Sequence, residues 1–490
     1  LGDVYKRQNG NNANIGFEKQ IWDAACVLWG HIPAAEYRKV IVGLIFLRYI
    51  SSAFEKRYQE LIDEGDGFED DRDAYVEDNI FFVPEDARWS KIASSAHTPE
   101  IGTVIDDAMR AIEKENTTLK NVLPKNYASP DLDKRVLGDV VDLFTNMDMG
   151  DTEESKDLLG RTYEYCIQQF AAYEGVKGGE FYTPASIVKT IVAILKPFKN
   201  CRVYDPCCGS GGMFVQSAEL VKAKRGDISR INIYGQEKDG ATYRLTKMNL
   251  ALRGISHNLG ETYDSSFTHD LHKGLYFNYI MANPPFNLKG WYDSNLANDP
   301  RWADYGTPPE SNANYAWILH MLSHLKPLDG VAGFLLANGA LGDSDTVSIR
   351  KKLIQNDKVE AIVVLPRELF ITTDISVTLW ILNQNKKGGV YHGRTLRNRE
   401  HEILFMDLRT WTDNPVKDEN KKKVMLSSEQ IQRAADIYHT WQTEGTDGQN
   451  YAVPELYRSV GMDEIEKNGW TLVPLSLIHI SEPTRLALIS

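Results

Sequence analysis

The chain has 490 residues, of which 42% are hydrophobic, enough for the cores of about three globular domains. Its five cysteines are sparse and lack paired C-x-x-C spacing, which disfavours a disulfide framework or a structural zinc site and favours a reducing cytoplasm. The formal net charge of −13 repels phosphate backbones on average, so affinity for nucleic acid requires a local basic patch or a partner.

The two ends of the chain do not continue the patterns of their neighbours. Residues 1–8 ("LGDVYKRQ") and 475–490 both resemble translated sequencing-adapter read-through, and we expect them to be non-native scars. No apolar run approaches the roughly 18 residues of a membrane span, so the sequence predicts no membrane partner.

The N-terminal part of the chain has helical periodicity. Residues 15–60 place apolar side chains at intervals of three and four, which predicts two or three amphipathic helices. An acidic, glycine-punctuated loop follows at 62–79, and helical patterns then continue to residue 172. We therefore predict a helical N-terminal domain over 9–150 and a catalytic domain over 151–395.

From residue 181 strands alternate with helices, which predicts an α/β fold with a mostly parallel, doubly wound sheet covered by helices on both faces. In "TPASIVKTIVAIL", Thr183 is a plausible N-cap and Pro184 a first helical residue. A polar region at 396–474, with a helix near 428–441, predicts a short helical C-terminal region. The predicted strands are "CRVYDPCC", "INIYGQE", "YFNYIMANPPF", "GVAGFLLANGAL", "VEAIVVLP" and "ISVTLWILN".

A glycine-rich turn, "DPCCGSGGM", follows the first of these strands. Gly209, Gly211 and Gly212 let the backbone turn sharply and approach a ligand closely. Asp205 suits the ammonium group of a ligand, and Glu237, at the end of the next strand, suits the hydroxyls of a ribose. A tight connection without a ligand is the alternative for the turn, and a turn cap is the alternative for Asp205.

The stretch "MANPPFN" ends a later apolar strand with two prolines. Pro284 and Pro285 cannot continue the hydrogen-bond ladder, so carbonyl oxygens face outward, and Asn283 adds a side-chain acceptor. Two acceptors suit an exocyclic amino group, and the ring of Phe286 suits stacking by a flat base that has left its duplex. The alternative is an edge strand that simply ends at proline.

Together these residues resemble an amino-methyltransferase that uses S-adenosylmethionine. Longer segments resemble the methylation subunit of type I restriction-modification systems over roughly residues 15–474. The resemblance implies a Rossmann-like methyltransferase fold and methyl transfer to N6 of adenine in DNA, with no metal. The segments are "DLLGRTYEY", "GGEFYTPASIV", "DPCCGSGGM", "GQEKD", "YIMANPPFN", "NANYAWILHMLSHL", "GVAGFLLANGAL" and "KVEAIVVLPRELF".

The resemblance also assigns roles to residues. The catalytic set is Asn283, Pro284, Pro285 and Phe286, which orient and stack the target adenine. Glu237 holds the ribose, and Asp264 accepts from the cofactor's adenine, with Asp270 as the alternative acid. The methionine end of the cofactor is enclosed by Glu180, Phe181, Tyr182, Thr183 and Pro184 and lined by Ser210, Gly211 and Gly212.

The resemblance implies four partners: a separate specificity subunit that selects the site, a second copy of the methylation subunit, an ATP-driven restriction subunit and double-stranded DNA. The helix near 428–441 would be one docking element. Methylation of a protein glutamine or an RNA amine is the enzymatic alternative, since it uses similar Asn-Pro-Pro-aromatic chemistry. The second alternative, from a different class, is a non-catalytic assembly subunit that binds the cofactor as a structural ligand.

Overall fold

The structure is a computed structural model that describes residues 34–76, 79–146, 165–166, 183–225, 231–370, 375–418, 421–443, 450–474 and 477–478. The chain divides into two compact units. The first unit comprises residues 1–178 with 241–255, and the second comprises 179–240 with 256–490. Within the described ranges, no helix combines the length and the apolar character that a bilayer crossing requires.

The described elements before β1 are helices, and from β1 onward strands and helices are interspersed. The helices are α1 (Ala34–Glu64), α2 (Asp73–Val76), α3 (Trp89–Ser94), α4 (Ile101–Glu115), α5 (Lys134–Thr145), α6 (Ala185–Leu195), α7 (Gly212–Arg225), α8 (Gly240–Leu252), α9 (Asn314–His324), α10 (Val347–Gln355), α11 (Ser428–Gln442) and α12 (Met462–Lys467). The strands are β1 (Arg202–Asp205), β2 (Asn232–Gly235), β3 (His257–Asn258), β4 (Tyr279–Ala282), β5 (Val331–Ala337), β6 (Val359–Val364), β7 (Val377–Asn383), β8 (Gly389–Tyr391), β9 (Arg394–Leu396), β10 (Glu402–Asp407), β11 (Pro415–Asp418), β12 (Lys421–Val424), β13 (Ala452–Val453) and β14 (Tyr457–Gly461).

The described secondary structure of the first unit is helical, as the sequence predicts. Its first described element is one continuous helix, α1, which runs through Gly43. The predicted number of helices over 15–60 stays a prediction, because only part of that range is described. A Cβ at Gly43 would lie 2.2 Å from the Tyr127 hydroxyl, so glycine at this position lets the Tyr127 side chain pack directly against the backbone of α1. Residues 15–33 of that prediction lie outside the described residues.

A cavity of about 410 Å³ lies in the first unit, between α1, the loop 121–126 and α8. Its walls combine apolar side chains with two asparagines, Asn121 and Asn126, and two cationic side chains, Lys125 and Arg244. None of the described site residues predicted from the sequence lines it, so this cavity is separate from the candidate site.

The second unit is built on one ten-stranded sheet with the order β13-β14-β10-β6-β7-β5-β4-β1-β2-β3. Strands β3, β2, β1, β4 and β5 run parallel, while β7 is antiparallel to both of its neighbours, β5 and β6. Every residue of β4, β5, β6 and β7 is buried, which explains their continuous apolar runs. The six predicted strands and the mostly parallel sheet are confirmed.

The region 396–474 departs from the predicted helical region. Strand β10 pairs in parallel with β6, and β14 pairs antiparallel with β10, so this part of the chain widens the central sheet. The predicted helix is present as α11, and it packs on α6, where His439 donates Nε2–H to the Ile194 carbonyl at 2.7 Å. The expectation of a purely helical region is wrong because the short buried strand "EILFMD" lies within polar sequence.

A buried carboxylate joins the second half of the sheet to α11. Glu360 on β6 is fully buried and accepts hydrogen bonds from Arg399 Nε at 2.8 Å, the Tyr438 hydroxyl at 3.0 Å and Gln442 Nε2 at 3.1 Å. The Asn383 side-chain amide donates to it as well. Burial alone would raise the pKa of Glu360, but Arg399 and these donors hold that pKa below its usual value. Glu360 is therefore a charged, fully partnered structural centre.

We expect Glu360→Gln to lower the free energy of unfolding by about 3–5 kcal/mol, because it leaves the Arg399 guanidinium buried without its counter-charge. The measurement is urea denaturation followed by tryptophan fluorescence. Lys326→Ala, which breaks the more exposed pair with Asp329, is the control and should change stability by less than about 1 kcal/mol. Equal losses for the two variants would contradict this account of Glu360.

Candidate functional site

The C-terminal ends of β2, β1 and β4 lie side by side in the sheet. Asp205 on β1 is paired with Gly235 on β2, and Tyr204 is paired with Ile280 on β4. Neighbouring strands are about 4.8 Å apart, so the segments that follow the three strands meet at one edge. In open parallel sheets this is the edge at which ligands bind.

The glycine turn after β1 is left-handed at two positions. Gly209 has φ of 54° and Gly211 has φ of 80°, with Ser210 between them, and α7 begins immediately afterwards at Gly212. A Cβ at Gly209 would meet nothing within 4 Å, so the backbone conformation, not lack of space, favours glycine there. The turn is fixed to the end of β2, because Cys208 donates its N–H to the carbonyl of Gln236 at 3.0 Å.

Asp205 is a buried carboxyl at the start of this turn, with only 2% of its surface exposed. The Cys207 backbone N–H donates to its Oδ1 at 3.0 Å. Burial raises the pKa of Asp205 to about 7; the charge of Glu237 adds to the rise, and hydrogen bonds from Cys207 oppose it. A buried carboxyl of this kind suits a cationic ligand group, which would stabilise its ionised form.

Glu237 follows β2 and is held by backbone donors. Gly209 donates its N–H to Oε2 at 3.0 Å, and Asp239 donates its N–H to Oε1 at 2.8 Å. Each carboxylate oxygen has a second lone pair, so the group is oriented to accept from two ligand hydroxyls as well. The adjacent Gln236 is fully buried, and its side chain bonds three backbone groups of residues 264–271; sequence reasoning missed this residue.

The structure separates the two candidate acids that follow β3. Asp264 donates its backbone N–H to the Glu237 carbonyl at 3.0 Å, and its side chain is 40% exposed and bonded to His269. The hydrogen bond from His269 lowers the pKa of Asp264. Asp270 is instead paired with His324 at 2.9 Å. The geometry therefore favours Asp264 as the acid beside Glu237.

Asp270, His320 and His324 form a buried cluster whose possible ligand atoms lie within 4.8 Å of one another. His320 accepts from Arg301 at Nδ1 and donates from Nε2 to the Tyr204 hydroxyl, and burial holds its pKa well below its usual value. His324 bonds a backbone carbonyl through Nδ1 and Asp270 through Nε2. A metal-bound histidine normally donates its other ring N–H to an acceptor, so the Arg301 contact fits a structural hydrogen-bond network better than a metal site.

Asn283 follows β4, and the two ends of its side-chain amide have different surroundings. Its Nδ2 donates to the hydroxyl of Thr183 at 2.9 Å. Its Oδ1 is buried and accepts no hydrogen bond from the described part of the chain. Buried polar atoms without a partner are rare in native proteins, so this oxygen is a candidate acceptor for a ligand N–H.

Thr183 does not cap α6, contrary to the expectation from the sequence. The helix begins at Ala185, its N-cap position is Pro184, and no side chain caps it. The hydroxyl of Thr183 contacts Asn283 instead, because the chain enters the helix from beside the end of β4. Glu180, Phe181 and Tyr182 lie outside the described residues.

The segment after the two prolines is clamped to the start of α9. Asn287 has a left-handed φ of 53°, which asparagine tolerates. It donates its backbone N–H to Asn314 Oδ1 at 3.0 Å and accepts from Asn314 Nδ2 at 2.9 Å. Pro284 is buried, while Pro285 and Phe286 are half-buried. The clamp fixes the position of Phe286.

A second aromatic ring lies beside Phe286. Phe370, in the segment after β6, meets it nearly at right angles, with ring centroids 6.0 Å apart. Sequence reasoning missed Phe370 because its apolar surroundings contain no motif. Its position after the C-terminal end of another strand was the available signal, since such positions gather at the ligand-binding edge.

Two family models match the chain. N-6 DNA Methylase matches residues 154–483, and HsdM N-terminal domain matches residues 17–144. The first match ends inside the segment 475–490, so the domain boundaries and the non-native ends remain predictions.

Curated relatives and solved structures agree with these matches. The type I restriction enzyme MjaIX methylase subunit of Methanocaldococcus jannaschii is 34% identical over 94% of this chain and 83% of its own length. The HindI methylase subunit of Haemophilus influenzae is 38% identical over 82% of this chain and 90% of its own length. A type I methyltransferase subunit from Streptococcus thermophilus, 23% identical, superposes with a TM-score of 0.76 over 94% of this chain and 98% of its own, so the two share a fold.

We expect Asn314→Ala to release the segment that carries Phe286, because the substitution removes both hydrogen bonds between the Asn314 side chain and Asn287. The backbone amide of residue 287 should exchange with deuterium about 10- to 100-fold faster, as loss of one well-formed hydrogen bond predicts.

Asn312→Ala is the control. It removes the bond from Asn312 Nδ2 to Asn287 Oδ1 at 3.1 Å and the acceptor of the Asn314 backbone N–H at 2.9 Å, but it keeps Asn314 Oδ1, the acceptor of the Asn287 N–H. Its exchange at residue 287 should stay close to that of the wild type. Equal protection in both variants would show that the clamp does not hold this segment.

Proposed function

The chain belongs to the N-6 DNA methylase family, as a methylase subunit of type I restriction enzymes, and we propose that its reaction is methyl transfer from S-adenosylmethionine to N6 of adenine in DNA. A separate specificity subunit selects the sites. The observation that carries this proposal is the buried Oδ1 of Asn283, which has no hydrogen-bond partner among the described residues and lies at the end of β4, the strand next to the one that precedes the glycine turn.

The residues around the glycine turn fit the cofactor. Asp205 matches the ammonium of its methionine part, because a nearby cation stabilises the ionised form of a buried carboxyl. Glu237 matches its ribose, and Asp264 matches its adenine amino group. Ser210, with the glycines around it, lines the methionine part, and Thr183 and Pro184 are the described members of the segment that encloses it. Bound there, S-adenosylmethionine supplies an electrophilic methyl group.

The chain's own contribution to the reaction is to orient and polarise the target amino group. That amino group is a poor nucleophile because its lone pair is delocalised into the purine ring. Asn283 Oδ1 and the Pro284 carbonyl each accept a hydrogen bond from one of its two N–H groups, which shifts the nitrogen toward tetrahedral geometry and frees the lone pair to bond the methyl carbon. The methylated nitrogen then loses one proton to solvent. Pro285 keeps Pro284 in extended geometry, and Phe286 provides a ring on which the extruded base stacks.

Charge and family membership support the assembly that we propose. With a net charge of −13, the chain repels duplex DNA on average, so we assign its delivery to the target to the specificity subunit. A second methylation subunit and a restriction subunit complete the complex. Supporting this, a solved relative with a TM-score of 0.64 comes from work on complex assembly and conformational transition of the type I R-M system.

We propose that the C-terminal helix α11 docks a partner, and only part of its surface is available for that contact. Helix α11 buries eight of its residues, including Ile431, Tyr438 and Trp441, and it packs on α6. Only its opposite face is available to a partner, so a docking contact would use the exposed polar side chains of that face.

We expect Asn283→Ala, purified with its specificity subunit, to transfer methyl groups to duplex adenine at least about 100-fold more slowly than the wild type. Its affinity for S-adenosylmethionine should be unchanged, because the carboxylates assigned to the cofactor, Asp205 and Glu237, are positioned by backbone N–H groups of Cys207 and Gly209. The measurements are transfer of a labelled methyl group and calorimetric titration of the cofactor. Wild-type turnover by this variant would remove Asn283 from the mechanism.

We expect the affinity for S-adenosylmethionine to rise as pH increases from 5 to 7, where the ligand's ammonium group stays charged. The pKa of Asp205 is raised to about 7, so at lower pH the carboxyl is protonated and cannot pair with the ammonium group. The dissociation constant should therefore be about tenfold larger for each pH unit below 7.

Asp205→Asn should bind weakly and show no such dependence, whereas the exposed Asp463→Asn should keep the wild-type profile. Calorimetric titrations at several pH values measure this. A flat wild-type profile would exclude Asp205 as the partner of the ammonium group.

A further inference from the structure

Thr183 and Asn283 are 100 residues apart in the chain, yet their side chains share a hydrogen bond of 2.9 Å. The Asn283 amide is the donor, through Nδ2, and the Thr183 hydroxyl oxygen is the acceptor. The other end of the amide, Oδ1, is the buried acceptor that bonds nothing within the described residues. The orientation of one amide therefore decides which chemical group faces the substrate.

An asparagine amide is nearly symmetric in shape but not in hydrogen bonding. Rotated by half a turn, Asn283 would present two N–H donors where it now presents an acceptor. An amino group also carries donors, so that orientation would repel it. The Thr183 hydroxyl accepts from Nδ2 in this orientation, but a hydroxyl can also donate, so the bond holds the amide in place without selecting which end faces the substrate. With the amide held there, an amino group that donates to Oδ1 favours the orientation that keeps Oδ1 as the acceptor.

The position of the Thr183 hydroxyl is itself well defined. Pro184 restricts the backbone of Thr183 to extended geometry, and α6 begins one residue later. A β-branched side chain has few rotamers, which further limits the hydroxyl. Helix α6 is anchored by buried side chains, including Ile187 and Ile191, and by the bond from His439 to its last turn. A rigid element thus holds the acceptor.

We propose that Thr183 is a positioning residue for methyl transfer: its hydroxyl holds the Asn283 amide so that Oδ1 accepts from the amino group of the target base. The inference rests on the proposed function, and it goes beyond the cofactor-enclosing role that the sequence assigns to Thr183. A positioning role affects turnover, whereas an enclosing role affects cofactor affinity. The two roles are therefore separable by experiment.

The main variant is Thr183→Val, which preserves the shape of the side chain and removes the acceptor. In complex with the specificity subunit, we expect kcat to fall about 10- to 100-fold, the loss associated with one hydrogen bond that orients a reacting group. The dissociation constant for S-adenosylmethionine should stay within about threefold of wild type. Thr183→Ser, which retains the hydroxyl, should restore kcat to within about threefold.

Thr190→Val is the matched control, in the helix that follows Thr183. Thr190 is fully buried, and its hydroxyl donates to the Ser186 carbonyl within α6 at 2.8 Å. The chemical change is the same, but the lost bond is internal to the helix. Normal kcat for this variant would show that removing a buried hydroxyl from α6 does not by itself impair transfer.

A second measurement does not require turnover. With S-adenosylhomocysteine as the unreactive cofactor, the wild-type complex should bind duplexes with adenine at the target more tightly than duplexes with purine, which lacks the amino group. Thr183→Val should lose this preference, and Thr183→Ser should keep it.

The outcomes separate the two proposals. Failure of the wild-type complex to methylate adenine would refute the proposed function. The comparison of binding to adenine and purine duplexes would still test the positioning role of Thr183. Wild-type kcat in Thr183→Val, an unchanged preference for adenine, or a loss confined to cofactor affinity would each overturn the positioning role. Equal impairment of Thr183→Ser and Thr183→Val would overturn it as well.

Discussion

The parallel, side-by-side arrangement of β2, β1 and β4 is the constraint on which the candidate site depends. Each strand brings a different group to the same edge: Glu237 after β2, the glycine turn after β1 and Asn283 after β4. These groups are far apart in sequence and meet only because the strands share one direction and a fixed register. A slip of β4 by one residue would move Asn283 to the other face of the sheet and separate the amide from Thr183.

Buried polar groups in the second unit fall into two kinds. Glu360 is fully buried, and four side chains donate hydrogen bonds to it, so its charge is compensated within the protein. Asp205 is almost as buried, but its compensation is incomplete and its pKa is raised to about 7. Asn283 leaves one amide oxygen without a partner in the described structure. The first kind stabilises the fold, whereas the second creates sites that a ligand completes.

Local patterns were sufficient to predict most of the sheet but not its order. Buried parallel strands are continuous apolar runs, and a glycine turn or a proline pair marks where they end, so β1 and β4 were identifiable from the sequence. The insertion of β7 between β5 and β6 leaves no local signal, and β10 was hidden in polar surroundings. Gln236, Asn314 and Phe370 were missed because their roles arise from contacts between distant segments, as does the bond between Thr183 and Asn283.

The position of β7 has a consequence for synthesis of the chain. Strand β7 pairs with both β5 and β6, yet it is the last of the three to leave the ribosome. Until Val377–Asn383 has emerged, the nascent chain carries two largely apolar strands, β5 and β6, whose facing edges have unpaired backbone groups. Such edges are templates for association with other chains. A pause in translation before residue 377 would therefore expose this protein to aggregation, and chaperone binding would matter most there.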